Sequence, residues 1–204
     1  MKVYTYFDPT VQRCGLPPQD GVLRLWAESW KKFGWTPRVL TDRLARMSPD
    51  FDQYLARINK LPTVNAREYE NACYLRWLAL QDAGGGWMVD YDVINFGFRP
   101  RKGVGEVEML DCTYVPCAVW ANKMGSAKIC GMIYKHRPKT EHVSDMTIFK
   151  TQFARKAFGL PGTAVVEYSV PGWEKAPLVH FAAGKCRHFP SKVEAIRLAS
   201  QYHA

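Results

Sequence analysis

The sequence lacks the signals that would place it in a membrane or in several common enzyme classes. It has no run of about 18 apolar residues, so no transmembrane helix is expected. It also has no P-loop, no His-Glu-x-x-His motif and no dinucleotide-binding glycine fingerprint. The first residues are too polar for a signal peptide, and we therefore expect a cytoplasmic protein. Because no repeat or long linker divides the chain, residues 1–204 are predicted to form one domain.

Acidic residues are few relative to basic ones. There are 19 Asp and Glu against 28 Lys and Arg, which gives a net charge of +9. Such a balance favours an anionic partner, such as a phosphorylated cosubstrate, a nucleic acid or an anionic surface. The positive charge is dispersed, however, with clusters only at residues 31–32, 99–102 and 135–139. Solvated loops explain these clusters as well as a nucleic-acid surface does.

The six cysteines are scattered and form no disulfide framework, so we expect free thiols. Cys112, Cys117, Cys130 and His136 are the one set that could be arranged around zinc. The residues between them resemble apolar strands, which disfavours that arrangement.

The order of predicted elements indicates an α/β fold. A strand at residues 3–7, a helix at 20–33 and a strand at 37–41 form a β-α-β start, which implies a parallel sheet. An Asn65/Glu68 capping box is predicted to open the longest helix, and a second box at Ser191 and Glu194 the last one. The other predictions are helices at 42–61 and from 144 or 145 to about 158, and strands at 106–110, 115–121, 129–134, 164–168 and 178–182.

The most informative stretch is residues 84–92, Gly-Gly-Gly-Trp-Met-Val-Asp-Tyr-Asp. The long helix at residues 66–83 ends at the glycines, and a short apolar strand follows. Residues i and i+2 of a strand point to one face, so Asp90 and Asp92 are predicted to present two carboxylates side by side. Paired carboxylates suit Mg2+ or Mn2+. The alternative is a solvated turn, because Asp-x-Asp is a common sequence.

Residues 65–93 resemble the sugar-binding Asp-x-Asp region of GT-A glycosyltransferases. The nearest group is the one related to initiation-specific mannosyltransferases and to glucosylating toxins, with an arginine on a helix, a glycine pair, an aromatic residue and Asp-x-Asp. The resemblance implies a GT-A-like domain with a mixed central sheet and helices on both faces. Residues 1–95 would form a nucleotide-sugar-binding β-α-β half and residues 96–204 an acceptor-side half. One departure is Cys73, which replaces the family's aspartate three residues before Arg76; Asn71 could substitute, but it lies about 200° away around the helix.

The resemblance implies metal-dependent sugar transfer from a UDP- or GDP-sugar with Mn2+ or Mg2+. Asp92 would ligate the metal directly, and Asp90 would lie nearer the ribose and the sugar while contributing to the metal site. His180, near the C-terminus, would be a further metal ligand, although a core histidine on an apolar strand is the alternative. Independently of the family, a bound cation stabilises the negative charge that develops on a departing diphosphate.

Other donor contacts follow from the same resemblance. Tyr4, Thr5 and Tyr6 would meet the nucleotide base and ribose. Arg76 would reach the donor or pair with Asp90, which makes both of them candidate catalytic residues. Lys185 would neutralise diphosphate charge, or is simply a surface cation.

The acceptor side is less defined. Asp145 is a candidate catalytic carboxylate that faces the acceptor, and it would equally serve as a helix N-cap. The acceptor could be a hydroxylated base in DNA, as for a phage-type DNA-modifying enzyme, or a glycan, lipid or protein. Two further readings stay open. One is a nucleotidyl- or phosphoryl-transfer enzyme that uses the Asp-x-Asp pair, and the other is a degenerate GT-A domain that only binds nucleotides, for which Cys73 is the main support.

Overall fold

The computed structural model describes residues 1–9, 11, 19–154 and 162–203. The strands are β1 (Lys2–Tyr6), β2 (Thr36–Leu40), β3 (Gly85–Val89), β4 (Val93–Asn95), β5 (Val107–Met109), β6 (Ala118–Asn122), β7 (Val165–Glu167) and β8 (Leu178–His180). The helices are α1 (Asp20–Lys32), α2 (Asp42–Ala45), α3 (Phe51–Ile58), α4 (Arg67–Asp82), α5 (Lys123–Lys135), α6 (Asp145–Ala154) and α7 (Lys192–Tyr202), with a 3-10 turn at Trp173–Lys175. No helix in these ranges is long and apolar enough to cross a membrane. Cys14 and residues 155–158 of one predicted helix lie outside the described residues.

A mixed five-stranded sheet forms the centre, in the order β2-β1-β3-β6-β5. Strand β1 pairs in parallel with both β2 and β3, which confirms the predicted β-α-β start. Strand β6 runs antiparallel to β3 and to β5. A second, three-stranded sheet has the order β4-β8-β7. The fold is therefore α/β with a central sheet of mixed direction, as the sequence indicated.

The two faces of the central sheet carry separate hydrophobic cores. Because side chains alternate along a strand, Val3 and Tyr4 point to opposite faces of β1. Val3 packs in a core with residues of α1, α7 and the second sheet. Tyr4 packs in the other core, with residues of α3, α4, α5 and α6. Helices thus cover both faces, and the ends of the strands remain available for a site.

One predicted strand is wrong. Residues 129–134, an apolar run, belong to α5 and not to a strand. Asn122 caps this helix by accepting a hydrogen bond from the Gly125 amide at 2.8 Å. The buried residues Ile129, Cys130 and Ile133 follow helical spacing, but a short apolar run does not by itself separate helix from strand.

Two details of the first half are also wrong. The helix predicted over residues 42–61 is broken into α2 and α3. Pro49 lies in the break. Proline disfavours helical conformation in the residue before it, which explains the interruption. The Asn65/Glu68 capping box is not formed, since Ala66 is the N-cap of α4 and makes no side-chain cap. The Asn65 side chain instead donates to Glu70 Oε2 at 2.9 Å. Ser191 does cap α7, because its side chain accepts a hydrogen bond from the Glu194 amide.

Gly84, just before β3, and Gly85 and Gly86, its first two residues, each meet a different constraint. Gly84 ends the turn after α4 with φ of 89°, a conformation that favours glycine. A Cβ on Gly85 would lie 2.6 Å from the Ala121 carbonyl oxygen, so β3 and β6 could not approach as they do. A Cβ on Gly86 would lie 2.6 Å from the Tyr4 ring. These glycines therefore allow β3 to lie close to its neighbours in the sheet, and the two aspartates follow at the end of this strand.

We expect Gly85→Ala to destabilise the protein by at least about 2 kcal/mol, because it combines left-handed strain with a backbone clash. The matched control is Gly131→Ala inside α5, where an added Cβ meets no atom within 4 Å. That change should stabilise the protein by about 0.5–1 kcal/mol through helix propensity. Urea unfolding measures both. Equal stabilities for the two variants would contradict the packing assigned to Gly85.

Candidate active site

Asp90 and Asp92 lie on a turn and not on a strand. Strand β3 ends at Val89, and the Asp90 carbonyl accepts a hydrogen bond from the Val93 amide at 2.9 Å. The strand geometry expected for the two aspartates is therefore wrong. The turn nevertheless brings their side chains to one place, because its closure folds Asp92 back beside Asp90.

His180 reaches this turn through strand pairing. In the second sheet, Val93 of β4 pairs with His180 of β8. The Phe181 amide donates to the Asp92 carbonyl at 2.8 Å and extends that pairing by one step. The His180 Nε2 atom then lies 3.5 Å from Asp92 Oδ1. A contact between residues far apart in sequence thus follows from the register of two short strands.

Asp90, Asp92 and His180 form a candidate metal site. One ligand atom from each lies within 4.8 Å of the other two, and no other such group of His, Cys, Asp or Glu is found among the residues that the structure describes. The alternative set of Cys112, Cys117, Cys130 and His136 is therefore not assembled. Two carboxylates with one imidazole, and room for further oxygen ligands in an adjacent cavity, are a donor set that fits Mn2+ or Mg2+.

Arg76 connects Asp90 to Asp145. The arginine side chain, only 8% exposed, projects from α4 and forms an ion pair with Asp90 Oδ1 through Nη1. Its Nε and Nη2 donate to Asp145 Oδ2 at 3.1 and 2.5 Å, and Nη2 also donates to the Pro116 carbonyl at 3.2 Å. The predicted pairing of Arg76 with Asp90 is therefore present, together with a second carboxylate that the prediction did not connect to it.

Asp145 faces the cavity, but its carboxylate is already engaged. Besides Arg76, Trp77 Nε1 donates to the same Oδ2 at 3.0 Å. The residue occupies the first turn of α6, whereas Ser144 makes the cap with Thr147 by reciprocal hydrogen bonds of 3.1 and 3.3 Å. Asp145 is thus not the N-cap, and its observed contacts stabilise the position of Arg76.

Lys192 belongs to the site, although the sequence did not predict it there. The buried lysine is the first residue of α7, and its Nζ lies 2.5 Å from Asp92 Oδ2. The capping box at Ser191 predicted where this helix begins, but no sequence signal joined its first residue to an aspartate 100 positions earlier. Asp92 therefore has an ammonium on one oxygen and an imidazole on the other.

The two aspartates differ electrostatically. Burial raises the pKa of Asp90 to about 6, although the Arg76 guanidinium acts in the opposite direction. Burial also acts to raise the pKa of Asp92, but Lys192 and His180 outweigh it and hold that pKa well below its usual value. Burial acts to lower the pKa of His180, while its neighbours Cys117 and Asp92 raise it well above the usual value. Asp92 is therefore the more strongly ionised carboxylate, as a direct metal ligand needs to be.

A cavity of about 690 Å³ opens in front of these groups. This size lies in the range of ligand sites. Its lining includes Asp90, Asp92, His180, Arg76 and Asp145. The rest of the cavity lining includes Tyr6, Phe7, Tyr69, Glu70, Cys73, Tyr91, His142, Ser144, Met146 and Gly184.

The remaining predicted donor contacts divide into two groups. Tyr6 lines the cavity, and its buried hydroxyl has no hydrogen-bond partner among the described residues. Tyr4 and Thr5 are buried in the body of the sheet and are not part of the described lining, so nothing in this geometry brings them to a ligand. Lys185 also lies outside that lining. Its Nζ is 3.7 Å from Glu167 Oε2, and its side chain is 42% exposed.

The face of α4 that meets the cavity carries Glu70, Cys73 and Arg76 at intervals of three residues. Asn71 is not in the described lining, because it lies off this face and donates to Asn59 Oδ1 at 2.9 Å. Asn71 therefore does not substitute for the aspartate that Cys73 replaces. Glu70, one turn before Cys73, is the nearest acidic residue on the face of α4 that meets the cavity. The sequence predicted it as part of the helix but not as a site residue.

The five described cysteines, Cys73, Cys112, Cys117, Cys130 and Cys186, are free thiols, as expected.

Comparison of the chain with known proteins gave no further assignment: no protein family matches it, and no curated protein matches it.

Proposed function

We propose that the protein is a metal-dependent glycosyltransferase that moves a sugar from a nucleotide-sugar to an acceptor hydroxyl. The observation that carries the proposal is the convergence of Asp90, Asp92 and His180 on one point at the mouth of a ligand-sized cavity. The α/β fold with parallel β1, β2 and β3, and the position of the site beyond the carboxyl end of β3, support it.

In the proposed reaction the bond between the anomeric carbon and the diphosphate oxygen breaks, and a bond to the acceptor oxygen forms. The nucleoside diphosphate leaves with the electron pair, and the acceptor proton passes to a carboxylate or to the departing phosphate. Asp92, His180 and Asp90 would hold Mn2+ or Mg2+, which would supply Lewis-acid stabilisation of the leaving diphosphate. Tyr6 would contact the nucleotide from the cavity wall next to the Asp-x-Asp turn.

In this proposal Arg76 acts on the donor side and Asp145 acts as a positioning residue. A guanidinium held between two carboxylates cannot swing away from the cavity, so Asp145 fixes the direction in which Arg76 presents its charge. Asp90, which is 30% exposed at its side chain, retains surface that can meet a donor hydroxyl. These roles assign to Asp90 and Arg76 the contact with the sugar-phosphate region.

A second candidate function is nucleotide binding without transfer. The observation that favours it is that Asp92 and Asp145 are both satisfied by cationic side chains, Lys192 and Arg76. A site whose carboxylates are already neutralised can hold a nucleotide by hydrogen bonds alone. Binding of a nucleoside diphosphate without turnover on any acceptor would favour this function over transfer.

The first test is a donor screen with Mn2+ that measures release of nucleoside diphosphate from UDP- and GDP-sugars. We expect the wild-type protein to turn over one donor and Asp92→Asn to lose at least about 100-fold in rate, because the variant lacks the most strongly ionised metal ligand. Asp52→Asn, a change of an exposed aspartate on α3, is the control and should keep full activity. Unchanged turnover in Asp92→Asn would reject the metal site, and release of pyrophosphate would indicate nucleotidyl transfer.

Lys192→Met tests whether the lysine competes with the metal. Removing the ammonium leaves buried Asp92 with a single partner, so we expect a loss of about 2 kcal/mol without metal. Mn2+ should then restore stability, with a larger rise in melting temperature than in the wild-type protein. The control is Lys185→Met, which removes a more exposed lysine whose ion pair is with Glu167. An equal Mn2+ effect in all three proteins would show that Lys192 does not oppose metal binding.

DNA is the acceptor class that we propose to test first, because two of the basic clusters meet on one surface. The Phe33 ring lies between Lys32 and Arg99, whose charged groups are 5.7 and 5.5 Å from its centre. We expect DNA affinity to fall at least about 100-fold between about 50 and 200 mM salt. We also expect the double variant Lys32→Ala/Arg99→Ala to bind more weakly than the wild-type protein in a gel-shift titration.

The control for DNA binding removes the same charge elsewhere, at the exposed residues Arg137 and Lys139. That double alanine variant should keep most of the affinity. If the wild-type protein binds no DNA at low salt, nucleic acid is rejected as the acceptor, and a glycan, lipid or protein acceptor takes its place.

A further inference from the structure

Glu70 is a buried carboxylate in the cavity wall with an unsatisfied oxygen. It is 1% exposed and lies in the first turns of α4. Its Oε2 accepts hydrogen bonds from Asn65 at 2.9 Å and from Thr63 at 3.3 Å. Its Oε1 is buried and has no hydrogen-bond partner among the described residues. An unsatisfied buried acceptor costs free energy, so its retention beside a ligand cavity calls for a donor from outside the chain.

No described cation forms an ion pair with Glu70, although His142 in the same cavity wall acts to lower the pKa of this carboxyl. The Arg76 guanidinium is taken by Asp90 and Asp145, and no ion pair is made by Glu70 among the described side chains. Burial accordingly raises the pKa of Glu70, against the effect of its hydrogen bond from Asn65. Glu70 is also separate from the metal group, since only Asp90, Asp92 and His180 bring ligand atoms together there. A metal ion at that site would leave Oε1 unsatisfied.

The position of Glu70 relative to the metal group is set by the helix. Arg76 follows Glu70 by six positions in α4, which is a rise of about 9 Å along the helix axis. Both residues line the same cavity, and Cys73 between them offers no carboxylate. A ligand whose charged end lies at Arg76 and the metal group therefore extends a neutral, polar part toward Glu70. The partners that already satisfy Oε2 are neutral donors, an amide and a hydroxyl.

We propose that Glu70 is a substrate-binding residue: a small rotation of its side chain exposes the unpartnered Oε1 to the cavity it lines, where that oxygen accepts a hydrogen bond from a sugar hydroxyl and so determines which hydroxylated ligand the cavity takes. This inference rests on the proposed function for the class of ligand, a sugar. Glu70 is not one of the three residues of the candidate metal site, so we expect this binding step to need no metal.

The test is ligand-observed NMR of methyl glycosides (glucoside, galactoside and mannoside) with the full chain in EDTA, repeated with Mn2+. We expect one glycoside to bind the wild-type protein equally in both conditions. Glu70→Gln keeps the size of the side chain but removes its charge, and should weaken that binding at least about 10-fold, as for the loss of a hydrogen bond to a charged group. Glu68→Gln, on the exposed side of the same helix, should bind as the wild-type protein does.

Melting temperature separates this role from a structural one. If Oε1 lacks a partner in the free protein, Glu70→Gln should melt at the same temperature as the wild-type protein or higher. A lower melting temperature with unchanged glycoside binding would overturn the proposal. So would binding of putrescine, an amine probe, in place of every glycoside, or the binding of no glycoside at all.

Titration of UDP and GDP with Mn2+ on the same samples distinguishes the two proposals. Glycoside binding that depends on Glu70 but no nucleotide binding would keep this inference and reject the proposed glycosyl transfer. Nucleotide binding without any glycoside binding would do the reverse. We expect Glu70→Gln to bind the nucleoside diphosphate within about twofold of the wild-type protein, since Glu70 lies about 9 Å along the helix from Arg76.

Discussion

The buried guanidinium of Arg76 is the constraint on which the candidate site depends. A buried arginine is stable only when its charge is balanced, and here Asp90 and Asp145 provide that balance. These three residues come from α4, from the turn after β3 and from the first turn of α6. The ion pairs therefore hold three separate parts of the chain at fixed positions around one cavity. Loss of either carboxylate would leave a buried charge with half of its compensation.

Charge balance also describes the other half of the site. Asp92 lies between Lys192 and His180, so the carboxylate is neutralised by side chains from α7 and β8 without any ion. A divalent cation that binds Asp92 must compete with the ammonium of Lys192 for that carboxylate. The same lysine thus neutralises buried Asp92 when no metal is bound. This arrangement links stability and ligand binding through one ion pair.

The sequence predicts this protein well where local signals act. Strand alternation and helix spacing predicted the β-α-β start, and the three glycines predicted the end of α4. Asp90 and Asp92 were predicted from residue type and order, and His180 from the resemblance to GT-A glycosyltransferases; the three side chains do meet. The prediction failed where the outcome depends on contacts distant in sequence. Residues 129–134 are helical because of a cap at Asn122 and their packing, and Lys192 reaches Asp92 through the placement of a whole helix.

The pairing of β4 with β8 explains why core and site cannot be separated here. The register sets Val93 opposite His180 and Asn95 opposite Leu178. A shift of one residue would turn the buried Leu178 to the opposite face and carry the His180 side chain away from Asp92. The hydrophobic packing of Leu178 therefore selects the same register that brings the imidazole to the carboxylates. Selection for a stable second sheet then also maintains the candidate metal group, without any contact made for that purpose alone.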